Sequence, residues 1–305
     1  KRDGFESLIC QVNKGGEEYI LGVGHDHRRA EDQVYAEADF LNYLARCGIS
    51  VPKVLPTLDG QLVGSIPAVD KSHFVTALFT KAPGFPPKRE YWQPELFERM
   101  GAFLGRLHHF SKAYQPNENA PKRYSFDTDA KEMLIAAEKF LPADDGAIKT
   151  IYQETIEQIL ALPKDSDSFG LCHSDFHSGN FFITEEGQIT LFDFDDCQYA
   201  WYIYDVAMAL NYAISMDCRS EKELEDARTF LRHFLKGYRR EFSLDPAWLV
   251  QIPHFLKLRE IDLYILIHRS MDMNNLDPWC TKFMDHRREK ILNRTPFCEI
   301  DYATF

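Results

Sequence analysis

The chain has 305 residues and a formal net charge of −12, with 35 basic and 47 acidic side chains. This length is about twice that of a usual single domain and predicts two packed lobes. The acidic surplus argues against sequence-independent nucleic-acid binding and against attraction to anionic membranes, because both need a cationic surface. It permits a cationic substrate, or an anionic one escorted by a metal.

Seven cysteines, without CxxC spacing, indicate reduced thiols in a cytoplasm-like compartment rather than a disulfide framework or a zinc knuckle. No apolar run approaches the roughly 18 residues of a membrane span, and no signal segment opens the sequence. We therefore expect a cytoplasmic protein with no membrane and no nucleic-acid partner. The first residue is Lys1 rather than Met, which leaves room for a missing upstream piece.

The first third of the chain predicts a small sheet with one helix against it. Apolar runs at 8–12 and 19–23 flank a Gly-Gly turn and predict a β-hairpin. Helical spacing predicts a helix over 31–47. Residues 51–63 predict strand and turn, and 73–79 a buried strand.

A segment rich in proline and glycine, residues 81–87, is too irregular for a helix or strand and predicts a hinge. We therefore divide the chain into an N-lobe (1–80), the hinge (81–87) and a C-lobe (88–305). In the C-lobe the spacing predicts helices around Leu96–Leu107, 127–141, 146–162, 204–216, 221–240 and 254–272, two strands at 181–183 and 189–192, and a charged tail with little pattern from 285.

Polar side chains concentrate in residues 172–180 and again in 191–196. Carboxylates that directly follow a buried strand cost several kcal/mol of desolvation unless they are paired or bind a metal. If Asp175, Asn180 and Asp193 face one point, they offer the hard oxygen ligands that a Mg²⁺-nucleotide needs. They also leave a carboxylate that can orient a hydroxyl and accept its proton. A solvated acidic turn is the alternative for the second segment.

This pattern resembles the signature of the aminoglycoside phosphotransferase and choline kinase-like superfamily, whose fold is that of protein kinases. The match consists of HxDxxxxN at 173–180, Phe192-Asp-Phe-Asp195, Leu104-Gly-Arg-Leu-His108 and Tyr204-Asp-Val-Ala207, in the order that the family shows. The resemblance spans essentially the whole chain. It implies an α+β, protein-kinase-like two-lobed fold with a small sheet-plus-helix N-lobe and a mainly helical C-lobe.

The resemblance also implies roles for individual residues. Asp175 matches the catalytic base, and His173 matches the histidine that braces its loop. Asn180 and Asp193 match the metal ligands, with Asp195 as a further ligand, and Asp205 matches a structural acid that holds the loop backbone. We expect the nucleotide site to involve Glu37, Ser7, Phe79 and Lys81.

Glu37 falls inside the apolar face of the predicted helix, so its carboxylate needs a partner; a surface position on a rotated helix is the alternative. In the kinase fold the partner is a strand lysine or arginine that grips the phosphates. Here Gly22 stands at that position, and the basic residues nearby, Lys14, Arg28 and Arg29, lie in flanking turns. Either one of them substitutes, or nucleotide affinity is reduced, or the lobe is partly degenerate. The Gly-rich loop is also reduced, to Gly4-Phe-Glu-Ser7.

The acceptor candidates are Trp201, Asp262 and Arg269. The alternative interpretation of Trp201 is a residue of the hydrophobic core. For Asp262 and Arg269, interior salt bridges are an equally good interpretation. The favoured function is ATP- and Mg²⁺-dependent phosphorylation of a hydroxyl on a small, amine-bearing or aminoglycoside-like acceptor, by a monomer or homodimer. The alternatives are a protein Ser/Thr kinase of the same fold and a catalytically impaired nucleotide-binding scaffold.

Overall fold

An antiparallel sheet and one helix make up the N-terminal part of the computed structural model, which describes residues 2–3, 8–118, 120–214, 216 and 218–305. The strands are β1 (Arg2–Asp3), β2 (Leu8–Lys14), β3 (Glu17–His25), β4 (Val54–Leu55), β5 (Gly64–Pro67) and β6 (His73–Thr80). They are ordered β1-β2-β3-β6-β4, and β5 also pairs with β6. The β2–β3 hairpin closes through Gly15 and Gly16, whose φ angles of 65° and 88° glycine adopts at no steric cost.

Helix α1 (Glu31–Arg46) covers this sheet with the apolar face that its spacing predicts. Phe40, Leu41 and Leu44 are fully buried, and Glu37 lies on the same face with only 3% of its surface exposed. The predicted position of Glu37 inside the apolar face is therefore confirmed.

The rest of the chain is mainly helical, as predicted. Its helices are α2 (Pro94–Ala113), α3 (Phe126–Phe140), α4 (Gly146–Leu160), α5 (Tyr202–Ala213), α6 (Glu221–Tyr238), α7 (Ile252–Ser270), α8 (Pro278–Met284) and α9 (Arg287–Leu292). Four short strands pair antiparallel as β7 (Phe169–Cys172) with β10 (Gln198–Trp201), and β8 (Phe181–Ile183) with β9 (Ile189–Leu191). None of the described helices has both the length and the apolar character to cross a bilayer.

The segment predicted as a hinge is fastened to the C-lobe by main-chain hydrogen bonds. Phe85 and Ile183 of β8 exchange both N–H···O bonds, at 3.0 and 2.9 Å. Gly84 has φ 90°, and a Cβ there would collide with the backbone of Ile183. The boundaries at 81 and 87 stay a prediction, but this segment is where the chain passes from β6 to the helical part.

The interpretation of the tail as patternless is wrong. It contains α9, a six-residue helix that tertiary contacts stabilise and that no apolar repeat in the sequence indicates. Arg287 in α9 is fully buried, donates to Glu260 of α7 at 2.7 Å, and stacks on Phe283 at 4.3 Å. Helices of this length are marginal alone, so packing against α7 stabilises them.

Helices α2 and α6 make the most intimate helix contact, and glycines permit it. A Cβ on Gly101 would overlap the carbonyl oxygen of Phe234, and one on Gly105 would lie 2.6 Å from the carbonyl oxygen of Tyr238. The two backbones therefore touch directly.

We expect Gly101→Ala to lower the free energy of unfolding by about 1–3 kcal/mol, because the added methyl overpacks this crossing. Urea denaturation followed by circular dichroism measures the change. Gly146→Ala in the first turn of α4 is the matched control, since nothing lies within 4 Å of its Cβ position. Equal unfolding midpoints for the two variants would contradict the direct contact between the backbones of α2 and α6.

Candidate active site

The loop between β7 and β8 carries the predicted catalytic residues and is held by one buried carboxylate. Asp205, fully buried in the first turn of α5, accepts the backbone N–H groups of His173 at 2.8 Å and Ser174 at 2.6 Å. It also faces Nε2 of His108 at 2.9 Å, and since a carboxylate only accepts, the imidazole donates. These bonds hold Ser174 at φ 70°, an unfavourable angle for a side-chain-bearing residue.

His173 connects this loop to the one that follows β9. Its Nδ1 accepts the backbone N–H of Asp175 at 3.2 Å, so Nε2 carries the proton and donates to the carbonyl of Phe192 at 3.1 Å. The ring is fully buried, and burial lowers the pKa of His173, which keeps the imidazole neutral. His173 therefore positions the two loops, and both of its ring nitrogens are occupied in doing so.

Asp175 is oriented from three sides. Its Oδ2 accepts from Nδ2 of Asn180 at 3.0 Å and from Nε2 of His177 at 3.2 Å. Its Oδ1 accepts from the guanidinium of Arg259 at 2.8 Å. Burial raises the pKa of Asp175, but the His177 hydrogen bond and the Arg259 charge outweigh burial and hold the pKa well below its usual range. The group is an oriented anion at neutral pH.

Asn180 and Asp193, the predicted metal ligands, lie on two segments that contact each other. The amide nitrogen of Asn180 donates to the main-chain oxygen of Asp175 at 2.9 Å as well as to its carboxylate, which orients Oδ1 as an acceptor. Asp193 has φ 67° and follows Phe192, whose N–H donates to the carbonyl of Asn180 at 2.9 Å. One amide and one carboxylate oxygen therefore belong to segments that are hydrogen-bonded to each other.

The electrostatics of Asp193 show that negative charge is concentrated here. Partial loss of solvent, followed by the charges of Asp195, Asp196 and Asp175, raises the pKa of Asp193 to about 7, although the residue keeps an exposed surface. A divalent cation compensates such a cluster, and amide and carboxylate oxygens are the donors that Mg²⁺ or Ca²⁺ takes. The donor set therefore fits a hard divalent ion.

Arg29 supplies the cation that β3 lacks. It lies in the loop between β3 and α1, and its guanidinium donates to Glu37 and to Asp195, with only 12% of the side chain exposed. Burial raises the pKa of Glu37 and the Arg29 charge opposes that shift. The sequence left open what replaces the basic residue that Gly22 lacks. At Glu37 the structure shows a displaced basic residue, Arg29, as the partner.

Asp195, predicted as a further metal ligand, forms an ion pair with Arg29. The pair joins the N-lobe helix to the loop after β9, because the same guanidinium holds Glu37. Arg123 makes a second such connection: it is 3% exposed and donates to the carbonyls of Cys197 at 2.7 Å and Gln33 at 2.9 Å. Nothing in the local sequence around Arg123 distinguishes it from a surface residue.

The remaining nucleotide-site predictions lie on β6 or beyond the described residues. Phe79 sits opposite Ile20 in the sheet, and its ring is 3.5 Å from where a Cβ on Gly22 would be. Lys81 pairs with Glu18 at 2.7 Å and is partly exposed. Ser7 lies outside the described residues.

Two of the three acceptor candidates lie away from the catalytic loop's polar face. Trp201 is 1% exposed, and its indole N–H donates to the carbonyl of Pro163 at 2.8 Å among Phe126 and Phe169, so it is a core residue. Arg269 is exposed at the end of α7, with its guanidinium 6.0 Å from the Phe140 ring. Trp201 is therefore part of the hydrophobic core, and Arg269 lies at the surface.

Asp262, the third acceptor candidate, interacts with Arg259, a residue that the sequence analysis missed and that contacts Asp175. Burial raises the pKa of Asp262 to about 6, while the hydroxyl of Tyr152 and the charge of Arg259 oppose that shift. Arg259 lies one helical turn earlier on α7 and packs over the ring of Tyr212 at 5.4 Å. Its spacing of three residues from Asp262 on an otherwise apolar helix was the available signal.

Comparison with known proteins decides the family. Residues 2–243 match the model of the phosphotransferase enzyme family. The chain belongs to this family. The match covers the N-lobe, the catalytic loop and α6, so it includes every group described above except those on α7.

The phosphotransferase is 33% identical over 299 residues to amicoumacin kinase of Bacillus subtilis strain 168, a match covering 98% of this chain and 88% of that protein. The solved structure of amicoumacin kinase hAmiN in complex with AMP-PNP, Ca²⁺ and Ami superposes with a TM-score of 0.90 at 32% identity, covering 99% of this chain and 90% of that one. A microcompartment-associated aminopropanol kinase gives a TM-score of 0.70 at 22% identity, covering 94% and 93%, and shows the fold alone. The predicted family and protein-kinase-like fold are confirmed, and the chain is a phosphotransferase with an alcohol group as acceptor.

The raised pKa of Asp193 predicts a pH-dependent effect on stability in the absence of divalent ions. An aspartate whose folded pKa is near 7 loses folded-state stability as pH rises above its unfolded pKa, and the loss levels off above about 7. In EDTA, Asp193→Asn should therefore melt above the parent, by a margin that grows from pH 4 to pH 7.

Thermal unfolding of both proteins across pH 4–8 measures this margin. Asp144→Asn, which alters a side chain 81% exposed, is the control and should give a constant difference. A pH-independent margin for Asp193→Asn would show that the carboxylate is not raised in pKa.

Proposed function

We propose that this phosphotransferase transfers the γ-phosphate of ATP to a hydroxyl of a small, amine-bearing acceptor. The observation that carries the proposal is the orientation of ionised Asp175 beside Asn180 and Asp193, an anion next to a site for a divalent ion. The hAmiN complex contains AMP-PNP, an ATP analogue, and Ca²⁺, which favours the same pair of ligands here.

Asn180 through Oδ1 and Asp193 through its carboxylate would hold the ion, which we propose is Mg²⁺. When bound, the ion neutralises charge on the phosphates. Arg29 keeps Glu37 and Asp195 compensated at the same edge of the cleft.

Asp175 orients the acceptor hydroxyl and receives its proton. Because its pKa is held low, it is a weak base, and proton transfer follows as charge develops on the attacking oxygen in a loose transition state. Asn180, His177 and Arg259 fix the carboxylate, which limits the reorientation needed before transfer.

Two features favour a small acceptor. Arg259 of α7 contacts Asp175 directly, so a C-lobe helix lies against the proposed base, which supports a small acceptor over a protein substrate. Asp262 supplies a carboxylate that is ionised above about pH 6 and could pair with an ammonium group. Relatives named for amicoumacin and aminopropanol fit this chemistry.

Asp175→Asn should reduce kcat by about 10²–10⁴-fold, because the amide cannot accept the proton. Binding of Mg-ATP should change little. A panel of amino alcohols and amine-bearing antibiotics, followed by ³¹P NMR, measures transfer, and thermal shift with Mg-ATP measures binding.

Asp167→Asn, at a side chain 75% exposed, is the matched control for that experiment. Turnover by Asp175→Asn equal to that of the control would remove Asp175 from the mechanism. Stabilisation of the parent by Mg-ATP without turnover of any acceptor would favour the nucleotide-binding scaffold.

Arg29→Met should raise KM for ATP and lower kcat/KM by at least tenfold, whereas Lys14→Met, at the exposed hairpin turn, should behave like the parent. The single change also leaves Glu37 without its partner, which costs about 3–5 kcal/mol of stability. Adding Glu37→Gln to Arg29→Met should restore part of that stability without restoring activity. Full activity of the double variant would show that the pair only stabilises the fold.

A further inference from the structure

A second group of metal-binding side chains lies at the junction of β3 and β6, outside the site described above. His25 ends β3, Asp26 and His27 begin the loop to α1, and His73 begins β6. The backbone N–H of Asp26 donates to the carbonyl of His73 at 3.0 Å, and the N–H of His73 donates to Oδ2 of Asp26 at 2.8 Å. Main-chain bonds therefore hold the three segments together.

The tautomer of His25 follows from its neighbours. Its Nε2 lies 2.8 Å from the hydroxyl of Ser72, and that hydroxyl donates its single hydrogen to Asp70. Nε2 must then be the donor, so the neutral ring presents a lone pair at Nδ1. A histidine whose far nitrogen donates to a hydrogen-bonded partner is oriented as metal-ligating histidines are.

That lone pair faces a second acceptor. Nδ1 of His25 is 3.1 Å from Oδ1 of Asp26, which is buried and receives no hydrogen bond from the described residues. The backbone N–H of His27 donates to Nδ1 at 3.2 Å, so a cation bound at this lone pair would take the place of that hydrogen bond. A cation between Nδ1 and Oδ1 would be held by two acceptors at once.

Two further imidazole nitrogens lie near the carboxylate of Asp26. Nε2 of His27 lies 3.9 Å from Oδ1 of Asp26, and Nδ1 of His73 lies 3.6 Å from Oδ2. Ligand atoms of His25, Asp26 and His27 all fall within 4.8 Å of one another. Zn–N distances near 2.1 Å in a tetrahedron place neighbouring ligands about 3.4 Å apart, close to the separations found here.

We propose that His25, Asp26 and His27 bind a divalent first-row transition ion such as Zn²⁺, with His73 next to the second carboxylate oxygen of Asp26. Imidazole with carboxylate suits such ions better than Mg²⁺. A cleft of about 340 Å³ lined by Asp26, His73 and Ser65 gives access from solvent. The other close group, His108, Cys172 and Asp205, is buried and already holds the catalytic loop, so it carries no such proposal.

The test uses untagged, EDTA-treated protein with Zn²⁺ titrated against a chromophoric chelator, in excess Mg²⁺ to mask oxygen-donor sites. We expect one equivalent of Zn²⁺ to bind at about micromolar Kd or tighter, and Co²⁺ to give the visible absorption of a four-coordinate site. The double variant His27→Ala, His73→Ala should bind at least tenfold more weakly, as should Asp26→Asn.

His109→Ala, at an exposed histidine of α2, is the matched control and should bind as the parent does. Thermal unfolding of each variant shows whether it is folded. The side chain of His27 is 74% exposed, so we expect His27→Ala to fold, and it provides the test if the other variants do not fold. Substoichiometric binding by the parent, or equal affinity in parent and variants, would overturn the proposal. Neither outcome depends on phosphotransfer activity.

Discussion

The buried carboxylate of Asp205 is the interaction on which the active site depends. A charge with no exposed surface is costly unless its lone pairs are used, and three donors use them: two backbone N–H groups of the catalytic loop and His108. His108 is in turn 2.7 Å from the hydroxyl of Tyr238. That contact joins α2 to α6, and it requires the close crossing that Gly101 permits. Helix packing thus determines the position of the loop through one chain of hydrogen bonds.

The charges around Asp175 are segregated. On the side of β9, carboxylates accumulate, and burial with mutual repulsion raises the pKa of Asp193. On the side of α7, Arg259 lowers the pKa of Asp175 and keeps it ionised. This separation suits the proposed phosphoryl transfer, in which Asn180 and Asp193 would hold a divalent ion on one side and Asp175 would act as the base on the other. The acidic net charge of the chain is a poor guide to this local arrangement.

Local sequence predicted what depends on local periodicity and contiguous motifs. The spacing that located α1 also placed Glu37 on its buried face, and the HxDxxxxN pattern identified a loop that Asp205 fixes. Arg29 and Arg259 gain their partners from tertiary contacts 166 and 84 residues away, which no local pattern encodes. The error at Trp201 has the same origin, because aromatic residues after a functional strand look alike whether they line a cleft or fill the core.

The cation that pairs with Glu37 lies on a loop rather than on β3, which changes the part of the chain that must be rigid. A lysine on a strand is held in place by the hydrogen bonds of the sheet. Arg29 instead depends on a turn in which its own N–H and that of Arg28 donate to the carbonyl of His25. That turn is anchored by the two hydrogen bonds that Asp26 exchanges with His73, the first residue of β6. The position of the Arg29 guanidinium, and through it of Glu37, is therefore set by the segment that gathers the histidines. A charge bound among those histidines would act on the same turn, because only three residues separate the end of β3 from Arg29.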